Sequence, residues 1–240
     1  MRLFMLALLS LFVVSQLLAC ASSSSSPDSP HYYKVYDRFP RLSPMGFSLK
    51  PPLGKNWFEA VIKNDLIYRK KVGDKDYAIQ SRACQLVFAS SEVSHTTLRQ
   101  VIRQRHGKHD SRYRHLTLKT AEAPGRPGCA LYALSYDERA NATSVVHVSS
   151  YGLVCSHPEK PKNGIEVSYQ EQWAKGTRDP SFRKEAETFL NSLTVRPLDA
   201  TTLASVPAPP QLDLTVFQRS QQTMARSSPV TDEASDSFNR

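Results

Sequence analysis

The amino-acid sequence predicts an α+β domain: a single antiparallel sheet with two helices, flanked by flexible tails. Three observations support this prediction. Consecutive short segments alternate between apolar and polar residues as β-strands do, and short connections join them. Two other segments carry apolar residues at helical spacing, and the composition shifts towards Ser, Pro and Thr on both sides of residues 44–197. Such an order of elements is typical of an α+β fold.

The sheet is predicted from eight segments. The last of them alternates most clearly, with Ile165 and Val167 on one face and Glu166 and Ser168 on the other. The two segments before it are predicted to form a hairpin centred on Ala142. The predicted strands cover residues 47–49, 57–62, 66–72, 77–88, 113–119, 128–137, 144–155 and 165–173.

Two helices complete the predicted domain. The first has Ser94 as its expected N-cap. Its apolar stripe consists of Leu98, Val101 and Ile102. The second begins at Asp179 and Pro180, because proline is favoured at the first helical position. Its predicted buried residues share one helix face and are Phe182, Ala186, Phe189, Leu190 and Leu193.

Charge and composition limit the functions open to the chain. It has 31 Lys and Arg against 22 Asp and Glu, a formal net charge of +9, and this excess suits an anionic partner or surface. Nine Gly among 240 residues argue against a glycine-loop nucleotide enzyme. The hydrolase motifs G-x-S-x-G and H-E-x-x-H are absent from the sequence. No enzyme and no cofactor is therefore predicted.

Residues 1–19 have the features of a secretory signal peptide. The apolar run over residues 3–14 is too short to span the bilayer core of about 30 Å as a helix. The sequence Leu-Leu-Ala-Cys at residues 17–20 resembles a bacterial lipobox. The resemblance implies cleavage before Cys20, attachment of diacylglycerol to its sulfur, and acylation of the new amino terminus. Ala21 then implies sorting to the outer membrane, and an ordinary signal peptide with an incidental cysteine is the alternative.

Flexible segments are predicted on both sides of the α+β domain, which covers residues 44–197. Residues 20–43 begin with a run of serines and are predicted to be a lipidated tether. The tyrosines within it either pack on the domain or lie near the membrane interface. Residues 198–240 are predicted to be mostly disordered, with a short docking segment at Leu212 to Phe217.

Three stretches of the predicted domain resemble a set of uncharacterised bacterial lipoproteins. They are GFSLKPPLGKNW at residues 46–57, YGLVCSHP at residues 151–158 and EAETFLNSL at residues 185–193. The resemblance covers about residues 44–196, and the order of elements is similar to that of PsbP-like domains, a fold used for docking to partners. Its motifs are packing motifs rather than catalytic ones, and the resemblance supplies no activity to carry over to this chain.

Three cysteines remain besides Cys20. In an oxidising envelope, an odd number suggests one disulfide and one buried thiol. Paired residue numbers sum to 284 in a hairpin centred on Ala142, which sets Cys129 opposite Cys155. A Cys129–Cys155 disulfide is therefore predicted. The alternatives are a disulfide in which Cys84 replaces one partner, and three reduced thiols.

The first predicted helix carries a basic face. Arg99 and Arg103 lie one turn apart, away from the apolar stripe, and Arg105 and Lys108 continue the positive charge. These four residues form the predicted anion-binding site. Its ligand would be a lipid A phosphate, a cell-wall carboxylate or an acidic protein. A solvated helix face without a ligand is the alternative interpretation.

A metal site is not predicted. His106, His109 and His115 lie close in the sequence, with Asp110 among them. However, Gly107 interrupts the helix there, and the neighbouring arginines would repel a divalent ion, whereas zinc requires ligands on ordered turns. Histidines in a solvated loop are the better interpretation.

The sequence thus predicts a lipoprotein of the cell envelope, attached to the lipid bilayer of the outer membrane through acylated Cys20 and facing the periplasm. Its expected role is a non-catalytic interaction module with an envelope protein as partner. Binding of anionic envelope polymers through the basic helix is the second hypothesis, and an enzyme is the third. Nucleic acid is not expected as a partner, because an exported protein does not meet it.

Overall fold

The computed structural model describes residues 30–73, 76–107, 112–139, 144–174 and 178–197, together with Leu212, Leu214 and Phe217. The chain divides into two compact units, Met1–His31 and Tyr32–Arg240. The fold described below belongs to the second unit.

The described residues of this unit form eleven strands and two helices. In chain order these elements are β1 (Tyr33–Lys34), β2 (Arg41–Ser43), β3 (Phe47–Leu49), β4 (Trp57–Ile62), β5 (Asp65–Lys70), β6 (Tyr77–Val87), α1 (His95–His106), β7 (Tyr113–Glu122), β8 (Cys129–Arg139), β9 (Val145–Ser156), β10 (Asn163–Trp173), α2 (Phe182–Asn191) and β11 (Thr194–Val195). Neither helix is long and apolar enough to cross a membrane.

Eight strands form one large sheet in the order β1-β4-β5-β6-β10-β9-β8-β7. Every pair of neighbours in it runs antiparallel. Helix α1 connects β6, in the middle of this sheet, to β7 at its far edge. The predicted α+β class with an antiparallel sheet is thus confirmed.

The prediction of a single sheet is wrong, because three short strands form a second sheet in the order β11-β3-β2. In this sheet Val195 lies opposite Phe47, so the chain that leaves α2 returns to the strand near the start of the domain. Strand β3 coincides with the predicted strand at residues 47–49, whereas β2 and β11, with three and two residues, are not predicted from the sequence.

The folded domain also begins earlier than the predicted residue 44. Strand β1 extends the large sheet at its edge, with Tyr33 opposite Glu59. The backbone N–H of Val35 donates to the Trp57 carbonyl at 2.9 Å. A strand added in this way is held by backbone groups and requires no apolar side chains of its own. Composition alone therefore assigned it to the tether.

Each face of the large sheet carries one helix and one apolar core. Helix α2 lies on the face that presents Ile165 and Val167, where Phe189 is buried. Helix α1 lies on the opposite face, where its Leu98 packs into a second core. The face that alternation assigned to polar residues is therefore buried beneath α1, and Glu166 on that face is only 4% exposed.

Helix α2 begins at Phe182, slightly later than the sequence predicts. The Asp179 side chain accepts a hydrogen bond from the backbone N–H of Ser181 at 2.8 Å. The backbone carbonyl of Asp179 accepts one from the backbone N–H of Phe182 at 3.1 Å. Asp179 thus organises the turn before the helix, as a residue with a short polar side chain does.

The described residues of the C-terminal region are buried in the core beneath α2; they are Leu212, Leu214 and Phe217. The N–H of Leu212 donates to the Asn191 side chain at 2.6 Å, and the N–H of Leu214 donates to Glu187 at 3.1 Å. These residues lie within the segment for which the sequence predicts docking.

Candidate anion-binding site

Helix α1 presents the predicted basic residues from a fixed position. The Ser94 side chain accepts the backbone N–H of Thr97 at 3.2 Å, which caps the start of the helix. Leu98 and Ile102 are fully buried and hold the helix against the sheet. Positive side chains suit the negative end of the helix dipole. The last turn carries Arg103, Arg105 and His106.

Arg99 and Arg103 have no carboxylate partner in the part of the chain that the structure describes. Arg103 is exposed, whereas Arg99 is half-buried and its Nε lacks a hydrogen-bond partner. Arg99 is thus less solvated than the sequence predicts. By contrast, Arg41 and Arg178 each bind a carboxylate of the domain. Two guanidinium groups one helical turn apart thus lack a carboxylate partner among the described residues, and that of Arg103 is exposed to solvent.

Arg105, unlike Arg99 and Arg103, already has a carboxylate partner. Its Nε donates to Glu166 Oε2 at 2.6 Å, and the neighbouring His106 ring bonds to Oε1 of the same carboxylate. The structure therefore removes Arg105 from the predicted site, because β10 already supplies its anion. Lys108, the fourth predicted residue, lies outside the described residues.

Tyr132 completes the group around Glu166. Its hydroxyl donates to Glu166 Oε1 at 2.8 Å. The ring reaches β10 from β8 because the residue opposite it on the intervening strand is Gly152. A Cβ at that position would lie only 2.1 Å from the Tyr132 ring. The His106 ring packs on Tyr132 with 4.8 Å between ring centres.

The charge of Glu166 is strongly stabilised. Burial by itself would raise its pKa, but His106, Arg105 and the Tyr132 hydroxyl outweigh that effect and lower the pKa to about 2. Burial raises the pKa of Tyr132 well above its ordinary value, so its phenol stays a hydrogen-bond donor. Glu166 thus anchors the basic end of α1 to the sheet, a role that sequence reasoning missed.

The cysteines of the domain divide into one disulfide and one thiol. Cys129 and Cys155 are opposed on β8 and β9, and a disulfide joins them with Cα atoms 4.1 Å apart. Cys84 is free and buried, and burial raises its thiol pKa to about 12, so it is not a reactive thiolate. Cys20, the predicted lipidation site, lies outside the described residues.

The histidines near α1 do not converge. His106 bonds to Glu166, whereas His115 Nδ1 bonds to Asp137 at 2.8 Å. His109 lies outside the described residues. No group of three or more His, Cys, Asp or Glu side chains among residues 30–197, leaving out the undescribed loops, is arranged to hold a metal ion.

Two carboxylates are buried in the described part of the domain, Glu166 and Glu171. Glu171 accepts the Tyr77 hydroxyl at 3.0 Å and Arg178 Nε at 2.7 Å. Like Glu166, it accepts hydrogen bonds from the domain itself, but burial raises its pKa whereas the pKa of Glu166 is lowered.

A pocket beside α2 contains a third carboxylate that is similarly occupied. Its wall includes Pro52, Tyr169 and Glu185. The Glu185 side chain accepts the Tyr169 hydroxyl at 2.6 Å and forms an ion pair with Lys70 at 3.1 Å. This pocket therefore offers an internal hydrogen-bond network rather than a free acid or base.

No protein-family model matches the chain, and a search of curated proteins finds no match either.

Proposed function

We propose that this protein is a bacterial lipoprotein, anchored in the outer membrane by acylated Cys20 and facing the periplasm, that acts as a non-catalytic interaction module of the cell envelope. The lipobox-like residues 17–20 support the anchor. The Cys129–Cys155 disulfide supports an oxidising compartment, where such bonds persist. We further propose that the α+β domain is PsbP-like, a layout used for docking to partners.

The observation that carries this proposal is the pair of arginines on α1. Among the described residues, Arg99 and Arg103 have no carboxylate partner, while the helix beneath them is fixed by Leu98, Ile102 and the Arg105–Glu166 pair. A fixed basic surface is complementary to an acidic patch of an envelope protein and would also speed association with it.

Binding of an anionic envelope polymer is the second candidate function. It is favoured by the type of residue, because the planar guanidinium groups of Arg99 and Arg103 match phosphate and carboxylate oxygens two at a time. Lipid A phosphates and cell-wall carboxylates both present such oxygens. Both hypotheses therefore use the same surface. They differ in the molecule that stays bound to the protein during purification, which is an envelope protein in the first and an anionic envelope polymer in the second.

The first prediction concerns the anchor. Cys20→Ser is expected to abolish acylation, because serine lacks the sulfur that carries diacylglycerol, and to leave the protein soluble or as an uncleaved precursor. Mass spectrometry of the mature amino terminus measures this. Ala21→Ser is the matched control and should keep the lipid. A mature parent protein that begins at another residue, or at an unmodified Cys20, would refute the lipoprotein proposal.

The second prediction concerns the basic face. Replacing Arg99 and Arg103 with Glu is expected to abolish recovery of the partner from membrane extracts, because two attractive charges become repulsive. The free energy of unfolding should fall by about 0.5 kcal/mol or less through exposed Arg103 and by about 1 kcal/mol through half-buried Arg99. Thermal melting and partner recovery are measured on the same preparations.

The control for this double variant changes the same charge elsewhere. Lys160 and Lys184 are both exposed, and Lys184 lies on α2, on the other face of the sheet. Replacing both with Glu should leave recovery unchanged. If the Arg99 and Arg103 variant keeps its partners, the basic face is only solvated. Salt-sensitive binding of the parent to lipid A or cell-wall fragments, without a protein partner, would favour the second function.

A further inference from the structure

The N-terminal part of the domain exposes a group of large apolar side chains. Five of them are between 60% and 84% exposed, although monomeric domains usually scatter such residues singly. They are Tyr33, Tyr36, Phe39, Leu42 and Leu53. We call these five residues the aromatic edge.

Two arginines hold the aromatic edge together. Arg41 binds Asp37 at 2.6 Å and Glu59 at 2.8 Å, which ties the segment between β1 and β2 to β4. The Arg38 guanidinium donates to the carbonyls of Pro52 and Gly54, the residues on either side of Leu53. The exposed side chains therefore project from a fixed framework rather than from a free segment.

The charge around the aromatic edge is positive. Asp37 and Glu59 are the nearby acids and share the single charge of Arg41. Lys34, Arg38 and Lys55 add three further positive charges. Lys34 lies 5.4 Å from the centre of the Tyr36 ring, and Lys55 is exposed next to the Leu53 turn. Exposed aromatic rings flanked by lysines are characteristic of surfaces that lie at the membrane–water interface.

We propose that the aromatic edge is a membrane-contact surface, which inserts its rings at the headgroup level of an anionic bilayer. This inference rests on the proposed function, because the anchored membrane is the bilayer it would meet. Thirteen residue steps separate Cys20 from Tyr33, so the lipid anchor keeps the edge within about 45 Å of the membrane, by the length of an extended chain. A tether of this length raises the effective concentration of the edge at the bilayer.

The test uses the mature chain from residue 20 with Cys20→Ser, so that no acyl group contributes to binding. Its partitioning is measured by co-sedimentation with vesicles of phosphatidylethanolamine and phosphatidylglycerol, and with vesicles of phosphatidylcholine alone. The chain is expected to bind the anionic vesicles, and the triple variant Tyr36→Ser, Phe39→Ser and Leu42→Ser should bind at least about ten-fold more weakly, because it loses the apolar area that inserts.

The control removes exposed apolar side chains elsewhere. Val87 and Val145 lie at strand ends and are exposed, so Val87→Ser with Val145→Ser should leave vesicle binding unchanged. Equal sedimentation of the parent and the triple variant would overturn the proposal. So would a parent dimer that the triple variant loses in analytical ultracentrifugation, because a second copy would then cover the edge. Since the chain tested carries no lipid, its failure is distinct from a failure of acylation at Cys20.

Discussion

Replacing Glu166 with Leu is expected to lower the free energy of unfolding by about 3–5 kcal/mol, the usual cost of removing one partner from a buried ion pair. The substitution leaves Arg105, His106 and the fully buried Tyr132 hydroxyl without their common acceptor. Urea denaturation at neutral pH measures the loss.

The matched control is Glu122→Leu. Glu122 is the last residue of β7; it is exposed and faces His95, the first residue of α1, at 3.6 Å. Exposed pairs of this kind contribute at most about 1 kcal/mol, so this variant should be nearly as stable as the parent. Equal, small losses in the two variants would show that Glu166 does not anchor the helix.

The effect of Glu166 should also depend on pH. Its pKa in the folded protein, about 2, lies below the ordinary value of 4.5. The carboxylate therefore stabilises the fold fully above about pH 4.5 and loses this contribution as the pH falls towards 2, which amounts to about 3 kcal/mol. The stability difference between the parent and Glu166→Leu should accordingly shrink over that range. A difference that stays constant from pH 7 to about pH 3 would contradict the assigned ion pair.

The strands and helices could be predicted because each long element carries its own periodic signal. The apolar stripe of α1 predicts the burial of Leu98 and Ile102, and hairpin arithmetic sets Cys129 opposite Cys155. The small sheet could not be predicted as a separate sheet, because only β3 is predicted and its partners β2 and β11 have three and two residues. Pairing of this kind depends on backbone groups brought together only in the folded chain.

The network around Glu166 could be predicted only in part. Alternation along β10 assigns Glu166 to a polar face, and nothing local to that strand shows that α1 covers it. One signal was nevertheless present: the register that pairs the cysteines also sets Tyr132 opposite Gly152. A large ring opposite a glycine has room to lie across the neighbouring strand. That pairing indicates an aromatic side chain directed along the sheet towards β10.

Replacing Phe189 with Ala is expected to destabilise the domain by about 3–5 kcal/mol, the usual cost of truncating a fully buried phenylalanine. The ring is 2% exposed on α2 and lies between Tyr68 and Tyr169, with ring centres at 6.1 Å and 5.7 Å. Neither tyrosine ring can close the cavity without leaving its own contacts in the core, so little of the loss should be recovered by repacking.

Thr188→Ala is the neighbouring control for this change. Thr188 is exposed on the same helix, and its hydroxyl donates to the carbonyl of Lys184, one turn earlier, at 2.8 Å. Its replacement should change the free energy of unfolding by about 0.5 kcal/mol or less, since alanine favours the helix and no packing is lost. Both variants are measured by urea denaturation with the disulfide intact. A loss below about 1 kcal/mol for Phe189→Ala would mean that α2 does not pack on the sheet through this face.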